Sequence, residues 1–426
     1  MELKDKRQTK VKFYAGMRTI GGTYIEVSYK GARVLFDCGS IFDPTITEQI
    51  NTLDKILQYE LVPDIKGIFD RKITLEDQKL YENTAFCVSH VHLDHTKMIN
   101  YIDEIIPIYV TNDTKNLLNA CNVANDFIFN NYNLKSNTRK LNGVDYGKSV
   151  NVGEINVKFV RVDHDAYGAC GFIITTPDMK ISYTGDLRLH GYLKRETLNF
   201  IVESKNCDML ISEGVSVSFK EFDDELVGEY ITEEALLSDF KSILNDNLDK
   251  QITFNYYITN IERLLKIIEI SNRKVVLNAF EAYVLYSTTG KKVNYYSLDN
   301  KRYGLDDELE ISYNDLLKDT GKYLWQFKSS SENNISKLIK NGIYIHCDAS
   351  PLGEFDPAYL PFILNFKNNE IILKELKCSG HAHPKDLLKI IDGIKPKILV
   401  PIHSFRPEML YNKNGETILP EKNEII

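Results

Sequence analysis

Three histidines and one aspartate lie within six residues in the segment 89–95, SHVHLDH. On an extended backbone His90 and His92 project to the same side. Asp94 and His95, adjacent at the expected start of a helix, turn toward a second point. Imidazole and carboxylate groups are ligands of divalent transition metals. The spacing therefore predicts one loop that contributes ligands to two metal ions.

A dinuclear site needs about six or seven ligands, so further histidines or aspartates are expected at other strand ends. Three residues stand in such positions. His164 lies in VDHDAYG, Asp186 lies in YTGDL, and His403 lies in VPIH, each directly after an apolar segment. The sequence predicts that these side chains converge on the SHVHLDH loop.

The elements that must position these residues are strand-rich. Residues 11–42 alternate in polarity between glycines and predict a β-meander, in which a buried strand ends at Asp37. Short apolar runs predict strands over Thr84–Val88, Gly153–Val162, Gly171–Thr175 and Lys180–Tyr183, and a helix is expected over Thr114–Asn130. Strand-rich halves with intervening helices indicate two sheets between helix layers.

A different pattern begins near Phe219. Gln251–Tyr257 reads as a strand, Ile258–Ser271 as an amphipathic helix and Lys274–Leu277 as another strand. This order predicts a parallel βαβ unit within an inserted α/β domain. The predicted boundaries are 1–215 for the first part of the main domain, 216–368 for the insert and 369–426 for the final part. That final part is expected to contain a strand over Glu370–Lys377, a helix over Pro384–Ile394 and a strand over Lys397–Ile402.

The ordered set HxHxDH, a distant histidine, Thr-Gly-Asp and a late histidine resembles the metallo-β-lactamase fold over about residues 11–408. The resemblance implies an α/β protein of the αββα sandwich type. It also implies that Asp186 bridges two ions, with Asp37 orienting a ligand histidine through its second ring nitrogen. By the same resemblance, the first ion is held by His90, His92 and His164, and the second by Asp94, His95 and His403.

Three further segments are similar to the motifs of the β-CASP group, close to ribonuclease J and related RNA-processing nucleases. They are 210–214 with Glu213, 379–382 with His381, and 401–403. The resemblance implies that the insert is a β-CASP domain and that Glu213 holds His381 as a general acid. His383 and Pro384 stand where ribonuclease J tends to have small polar residues, and Ser404 replaces a glycine.

The implied reaction is phosphodiester hydrolysis of single-stranded RNA, with Asp94, Glu213 and His381 as catalytic residues. Two divalent ions, zinc first and manganese second, would activate a bridging water. Asn260, Arg263 and His383 are candidate phosphate contacts, with the helix N-terminus assisting at Asn260. Candidate base-stacking aromatics are Tyr256, Tyr257, Phe280 and Tyr283.

Composition limits the partners. The 426-residue chain carries a formal net charge of −8, which counts against a protein that binds nucleic acid mainly by neutralising phosphates. Its seven cysteines are scattered singly without a CxxC pair, so buried thiols are expected. The first ten residues lack the apolar core of a signal peptide, and no later run reaches membrane-spanning length. A cytoplasmic protein without a membrane partner is predicted, and a homodimer is one possible assembly.

Three other functions stay open from the motifs. A DNA-acting β-CASP nuclease would be distinguished by a paired assay on RNA and DNA. A small-molecule metallohydrolase is disfavoured because the insert is expected to cover the cleft. A non-catalytic RNA-binding scaffold is disfavoured because such subunits usually lose ligands. The motifs also leave open zinc against manganese, endonuclease against exonuclease, the natural substrate and the oligomeric state.

Overall fold

The computed structural model describes residues 8–43, 46, 50, 52–219, 231–328, 334–354 and 356–426. The chain divides into two units, the first made of residues 1–230 and 380–426 and the second of residues 231–379. The second unit therefore begins and ends later than the predicted insert, 216–368.

The described residues form strands and helices in the following order. The strands are β1 Lys10–Ala15, β2 Tyr24–Tyr29, β3 Ala32–Phe36, β4 Thr84–Cys87, β5 Ile108–Thr111, β6 Asn142–Val144, β7 Ser149–Val152, β8 Ile155–Arg161, β9 Cys170–Thr176, β10 Met179–Tyr183, β11 Met209–Glu213, β12 Ile252–Tyr256, β13 Lys274–Asn278, β14 Asn294–Tyr296, β15 Tyr323–Gln326, β16 Ile343–Cys347, β17 Ile372–Glu375, β18 Ile398–Ile402 and β19 Glu416–Thr417. The helices are α1 Leu53–Gln58, α2 Arg71–Thr74, α3 Leu93–Thr96, α4 Asn112–Cys121, α5 Lys194–Ser204, α6 Glu233–Asp246, α7 Ile261–Ile270, α8 Ala279–Thr289, α9 Tyr313–Lys318, α10 Tyr359–Asn368 and α11 Pro384–Ile394.

The first sheet of the first unit has the order β1-β2-β3-β4-β5-β6. Its first three strands pair antiparallel, which confirms the predicted meander, and β3 to β6 pair parallel. The turn between β2 and β3 places Lys30 and Gly31 at φ values of 45° and 80°. Two successive residues at positive φ suit the twist of a tight hairpin. Asp37 directly follows β3 and the SHVHLDH loop follows β4, so both lie at the carboxyl ends of neighbouring parallel strands.

The second sheet of the first unit has the order β19-β18-β11-β10-β9-β8-β7. Strands β7 to β10 pair antiparallel, whereas β10, β11, β18 and β19 pair parallel. Side chains of the two sheets share one buried core, in which the rings of Phe36 and Phe172 lie 5.2 Å apart. The two sheets therefore pack face to face.

Helices cover the outer faces of these sheets. Phe200 of α5 and Leu387 and Ile391 of α11 pack with Leu210 and Leu399 of the second sheet. On the other side, α4 contacts β5 and β6. These layers confirm the predicted αββα sandwich. Helix α11 has the predicted bounds, and Pro384 lies in its first turn, where a missing N–H removes no hydrogen bond.

The second unit is built on a parallel sheet with the order β14-β13-β15-β12-β16-β17. Together with α6 to α10 this is the expected α/β insert. Strand β17 pairs with β16. The strand predicted over Glu370–Lys377 therefore belongs to the second unit and not to the final part of the main domain, because its hydrogen-bonding partner lies there.

All seven cysteines are buried and unbridged, as predicted. Among the described residues, no helix combines the length and the apolarity needed to cross a bilayer.

A buried ion pair fixes the start of α7. The guanidinium of Arg263 contacts Glu233 Oε1 at 2.8 Å and Asp348 Oδ2 at 2.8 Å, and it donates to the carbonyls of Cys347 and Cys378. Asn260 caps the helix by accepting from the Arg263 N–H at 3.1 Å. Both side chains are buried. The structure corrects their assignment as phosphate contacts, because the second unit already uses these donors.

We expect Glu233→Ala to destabilise the second unit by about 3–5 kcal/mol, because it leaves the buried Arg263 charge without its main partner. Urea unfolding followed by fluorescence measures this selectively, since the one tryptophan, Trp325, is fully buried in the same unit. The matched control is Glu269→Ala, which breaks a pair with Lys266 whose side chains are 42% and 65% exposed. That loss should be about 0.5 kcal/mol or less, and equal losses would contradict the prediction.

Candidate metal centre

The SHVHLDH loop follows β4, a fully buried strand between β3 and β5. His92 is the N-cap of α3, so Asp94 and His95 lie in the first turn of that helix. His90 and His95 are completely buried. The change from extended backbone to helix within the motif is what directs its two halves to different points.

The three other ligand candidates also follow strands of the first unit. His164 comes after β8, Asp186 after β10 and His403 after β18. Gly185, at φ +54°, makes the turn before Asp186 possible, since an added Cβ would lie 2.8 Å from the Ser89 Cβ. The Thr-Gly-Asp turn is therefore packed directly on the start of the histidine loop.

The structure brings all seven predicted ligands into two clusters that share Asp186. In the first cluster, Asp186 Oδ2 lies 3.5 Å from His90 Nε2 and 3.8 Å from His164 Nε2. His92 Nδ1 lies 3.1 Å from His164 Nε2. The ligand atoms of this cluster all lie within 4.8 Å of one another.

The second cluster joins Asp94, His95 and His403 to the same aspartate. Asp186 Oδ2 lies 3.2 Å from His95 Nε2 and 3.8 Å from His403 Nε2. Asp94 Oδ2 lies 3.5 Å from His95 Nε2 and 3.4 Å from His403 Nε2. A single carboxylate thus stands between two groups of histidines.

These residues fit divalent metal ions. Within the described part of the chain, the Nε2 atoms of His90, His95 and His403 are buried and make no hydrogen bond, although buried polar atoms are normally paired. Each points into a cluster that contains a carboxylate. Ligand bonds of about 2.0–2.2 Å to a common ion would place such atoms at separations like those observed.

Burial sets the protonation of the first cluster. It lowers the pKa of His90 and His92, and it lowers the pKa of His164 to about 3, so all three imidazoles are neutral at physiological pH. Burial would raise the pKa of Asp186, but His403 and the other histidines around it hold that pKa well below its usual value. Neutral imidazoles and an ionised carboxylate are the forms that bind metals.

Asp37 lies beside His95, one of the predicted ligand histidines. His95 Nδ1 lies 2.8 Å from Asp37 Oδ2, which leaves Nε2 facing the cluster. The carboxylate of Asp37 also accepts from the Ser89 N–H at 2.7 Å and from the Tyr183 hydroxyl at 2.6 Å. These bonds hold the ring orientation of a ligand histidine.

Other ligand histidines also make polar contacts through the ring nitrogen that faces away from the cluster. Most of these contacts could not be expected from the sequence. In three of them the second ring nitrogen meets a polar atom: Nδ1 of His90 lies 3.0 Å from Ser89 Oγ, Nδ1 of His164 lies 2.6 Å from the Gly380 carbonyl oxygen, and Nδ1 of His403 lies 3.4 Å from Thr23 Oγ1.

A buried ion pair that the sequence analysis missed joins two ligand loops. Asp163, next to His164, accepts from Arg188 Nε at 2.8 Å, and Arg188 lies two residues after Asp186. The Arg188 N–H also donates to the Asp163 carbonyl at 2.7 Å. The neighbouring Asp165 places Oδ1 3.3 Å from His164 Nε2. In the sequence, the only signal of this network is the pair of aspartates that flank His164. Its arginine, Arg188, lies 25 residues after Asp163 and could not be assigned to it.

Glu213 and His381 lie beside the clusters. Glu213 ends β11, is almost completely buried, and accepts from the Val215 N–H at 2.9 Å. His381 Nδ1 lies 3.5 Å from Glu213 Oε1 and 3.9 Å from Asp186 Oδ2. Burial would lower the pKa of His381, but Glu213 and Asp186 outweigh it and raise that pKa to about 9. These two carboxylates therefore favour the protonated form of His381.

His383, a candidate phosphate contact, lies outside the two ligand clusters. Its ring centroid is 4.6 Å from that of His190, and it is the N-cap residue of α11. The structure thus places His383 in a pair of histidine rings at the start of that helix.

This fold and this centre define a metal-dependent hydrolase of the metallo-β-lactamase type. Residues 62–221 match the family model described as the Beta-lactamase superfamily domain. The crystal structure of a protein of unknown function from Enterococcus faecalis V583 is 43% identical in sequence, with a TM-score of 0.92 over 99% of this chain and 100% of that one. The chain belongs to the same family as that Enterococcus faecalis protein.

More distant relatives carry a functional name. Ribonuclease J of Mycoplasma genitalium is 21% identical over 93% of this chain and 68% of its own length. Ribonuclease J of Pyrococcus abyssi is 23% identical over 92% of this chain and 89% of its own length. The resemblance to ribonuclease J therefore extends over both units of the chain.

We expect Asp37→Asn to weaken divalent-metal binding about 10- to 100-fold, the usual effect of losing an orienting carboxylate. Asparagine tolerates the positive φ of 60° at this position but lacks the negative charge beside His95. Competition with a chromophoric chelator measures the affinity. Asp208→Asn, which alters a carboxylate paired with Lys397 at 2.7 Å, is the control and should leave the affinity unchanged.

Proposed function

We propose that this protein is a ribonuclease that hydrolyses phosphodiester bonds of single-stranded RNA with two divalent metal ions. The observation that carries the proposal is the pair of ligand clusters sharing Asp186 next to His381, whose Nδ1 lies 3.5 Å from Glu213 Oε1. A phosphodiester needs activation of water on one side and a proton donor for the leaving oxygen on the other. The ribonuclease J relatives support RNA as the substrate.

In this proposal the ligands divide between the ions as the two clusters do. His90, His92 and His164 would hold the first ion and Asp94, His95 and His403 the second, and Asp186 lies in both clusters. Zinc is the first choice and manganese the second, because mixed imidazole and carboxylate ligands suit both. When bound, the ions supply an activated water and positive charge for the phosphate oxygens.

His381 is the proposed proton donor. Its Nδ1 faces Glu213, so Nε2 is the atom that passes a proton to the departing 3′-oxygen. The Glu213 carboxylate, with Oε1 3.5 Å from Nδ1, favours the protonated form of the ring. Its own position is fixed by the backbone N–H of Val215. This arrangement puts the proposed acid directly beside the ligand clusters, with His381 Nδ1 3.9 Å from Asp186 Oδ2.

The charge of the chain bears on how RNA would bind. With a net charge of −8, the bound ions add about four positive charges at the point where a phosphate must sit. In this proposal RNA binds at the metal centre, and its binding depends on the metal ions. We propose a cytoplasmic protein, in keeping with the unbridged cysteines.

The proposal is tested with end-labelled single-stranded RNA bearing 5′-monophosphate, triphosphate or hydroxyl ends, beside DNA of the same sequence. We expect metal-dependent cleavage of RNA that chelators stop. His92→Ala and Asp94→Ala should each abolish it, because a ligand is lost from each cluster. Cleavage of DNA alone would identify a DNA nuclease, and a protein that carries metal but cleaves neither would exclude both. Absence of bound metal from the purified protein would favour a binding scaffold.

We expect His381→Ala to retain its metal and to lose about 10²- to 10⁴-fold in turnover, the usual contribution of a general acid. Metal content by mass spectrometry and single-turnover cleavage are measured on the same preparation. Glu213→Gln, which keeps the shape but removes the charge beside His381, should lower turnover in the same direction. Loss of metal from His381→Ala would instead make this histidine a ligand.

A further inference from the structure

We propose that an aromatic rim beside the second ligand cluster stacks on a base of the bound RNA. The rim consists of Phe405, Phe219, Met409 and Arg18, all of the first unit. Their side chains are exposed although they border buried metal ligands. The proposal rests on the proposed ribonuclease function and names a contact that selects the substrate.

Backbone hydrogen bonds place the rim next to the ligands. Phe405 lies two residues after His403, whose N–H donates to the Gly16 carbonyl at 2.7 Å. The Gly22 N–H donates to the Asp94 carbonyl at 3.1 Å. The loop 16–23, which carries Arg18, and the segment that follows His403 therefore border the same cluster.

The base of the rim is fixed while its rings reach solvent. The Phe405 N–H donates to Ser218 Oγ at 3.0 Å, and Ser218 Oγ lies 3.0 Å from Ser404 Oγ. Both serines are buried. Phe405 is nevertheless 54% exposed, and Phe219, next to Ser218, is 38% exposed. An exposed aromatic ring on a fixed backbone binds with little loss of conformational entropy.

The rim also has a cation that can meet a phosphate. Arg18 Nη1 lies 3.3 Å from Glu408 Oε2, and the two side chains are 53% and 50% exposed. An exposed pair of this kind contributes only about 0–1 kcal/mol. Its guanidinium can therefore exchange Glu408 for a phosphate at low cost.

Single-stranded nucleic acid is the occupant that matches these properties. Proteins that bind it combine aromatic rings, on which bases stack, with cations that contact the backbone. Exposed apolar patches beside a functional site mark contacts with a partner. Here Phe405 lies two residues after the candidate ligand His403, so we assign its ring to a nucleotide next to the scissile phosphate.

The test is a double-mutant cycle between Phe405→Ala and removal of one base from the RNA. An abasic nucleotide is scanned along the oligomer, and kcat/KM is measured with the metal-loaded protein. With the wild type, we expect base loss at one position near the cleavage site to cost about tenfold. With Phe405→Ala, base loss there should cost less than about twofold, and Phe405→Trp should restore the full dependence.

Tyr132→Ala, which removes a 75% exposed aromatic ring from another segment, is the matched control and should keep the wild-type dependence. If Phe405→Ala and base removal affect kcat/KM independently at every scanned position, the rim proposal is overturned, although the protein still cleaves RNA. A wild type that cleaves no RNA would instead overturn the ribonuclease function. Sedimentation is run in parallel, and a Phe405→Ala variant that only dissociates an oligomer would make the rim a contact between copies of the chain.

Discussion

The structure depends on keeping one buried carboxylate charged. Asp186 Oδ2 lies within 3.9 Å of nitrogens from five histidines and is almost completely buried. Burial of an unpaired charge costs several kcal/mol, so this aspartate is stable only among cationic partners, either protonated imidazoles or metal ions. The fold provides these partners because β4 of the first sheet and β10 and β18 of the second sheet all end near the same point. The residues that follow these strands meet there.

Hydrogen bonds between the loops turn that meeting point into a fixed geometry. Asp37, from the end of a strand in the first sheet, binds the hydroxyl of Tyr183 from the second sheet while it faces His95. The Asp163–Arg188 pair ties the His164 loop to the Asp186 loop in the same way. These bonds connect ligand loops of both sheets to one another.

The ligands were predictable because metal binding restricts residue type and spacing locally, as in residues 89–95 and in the turn at Asp186. The bounds of α11 were predictable for a similar reason, since Pro384 and the apolar period mark them. Contacts between residues distant in the sequence were not predictable in this way. The helix expected over Thr114–Asn130 ends at Cys121, where the Asn122 side chain instead bonds to the Asn137 carbonyl. Arg263 gave a misleading signal for the same reason, because its partner Glu233 lies 30 residues earlier.

The departures from the ribonuclease J pattern named above, at His383, Pro384 and Ser404, spare the seven candidate ligands. Ser404 stands where a glycine was expected, and its hydroxyl contacts Ser218 and accepts from the Arg406 N–H at 3.1 Å. That hydroxyl is therefore a structural part of the segment that presents Phe405. In the proposed function, two ions would constrain the seven ligands tightly, whereas a base-stacking surface would accept any rigid aromatic ring. This difference in constraint explains how the chain can be only about 20% identical to the ribonuclease J relatives and still have all seven candidate metal ligands.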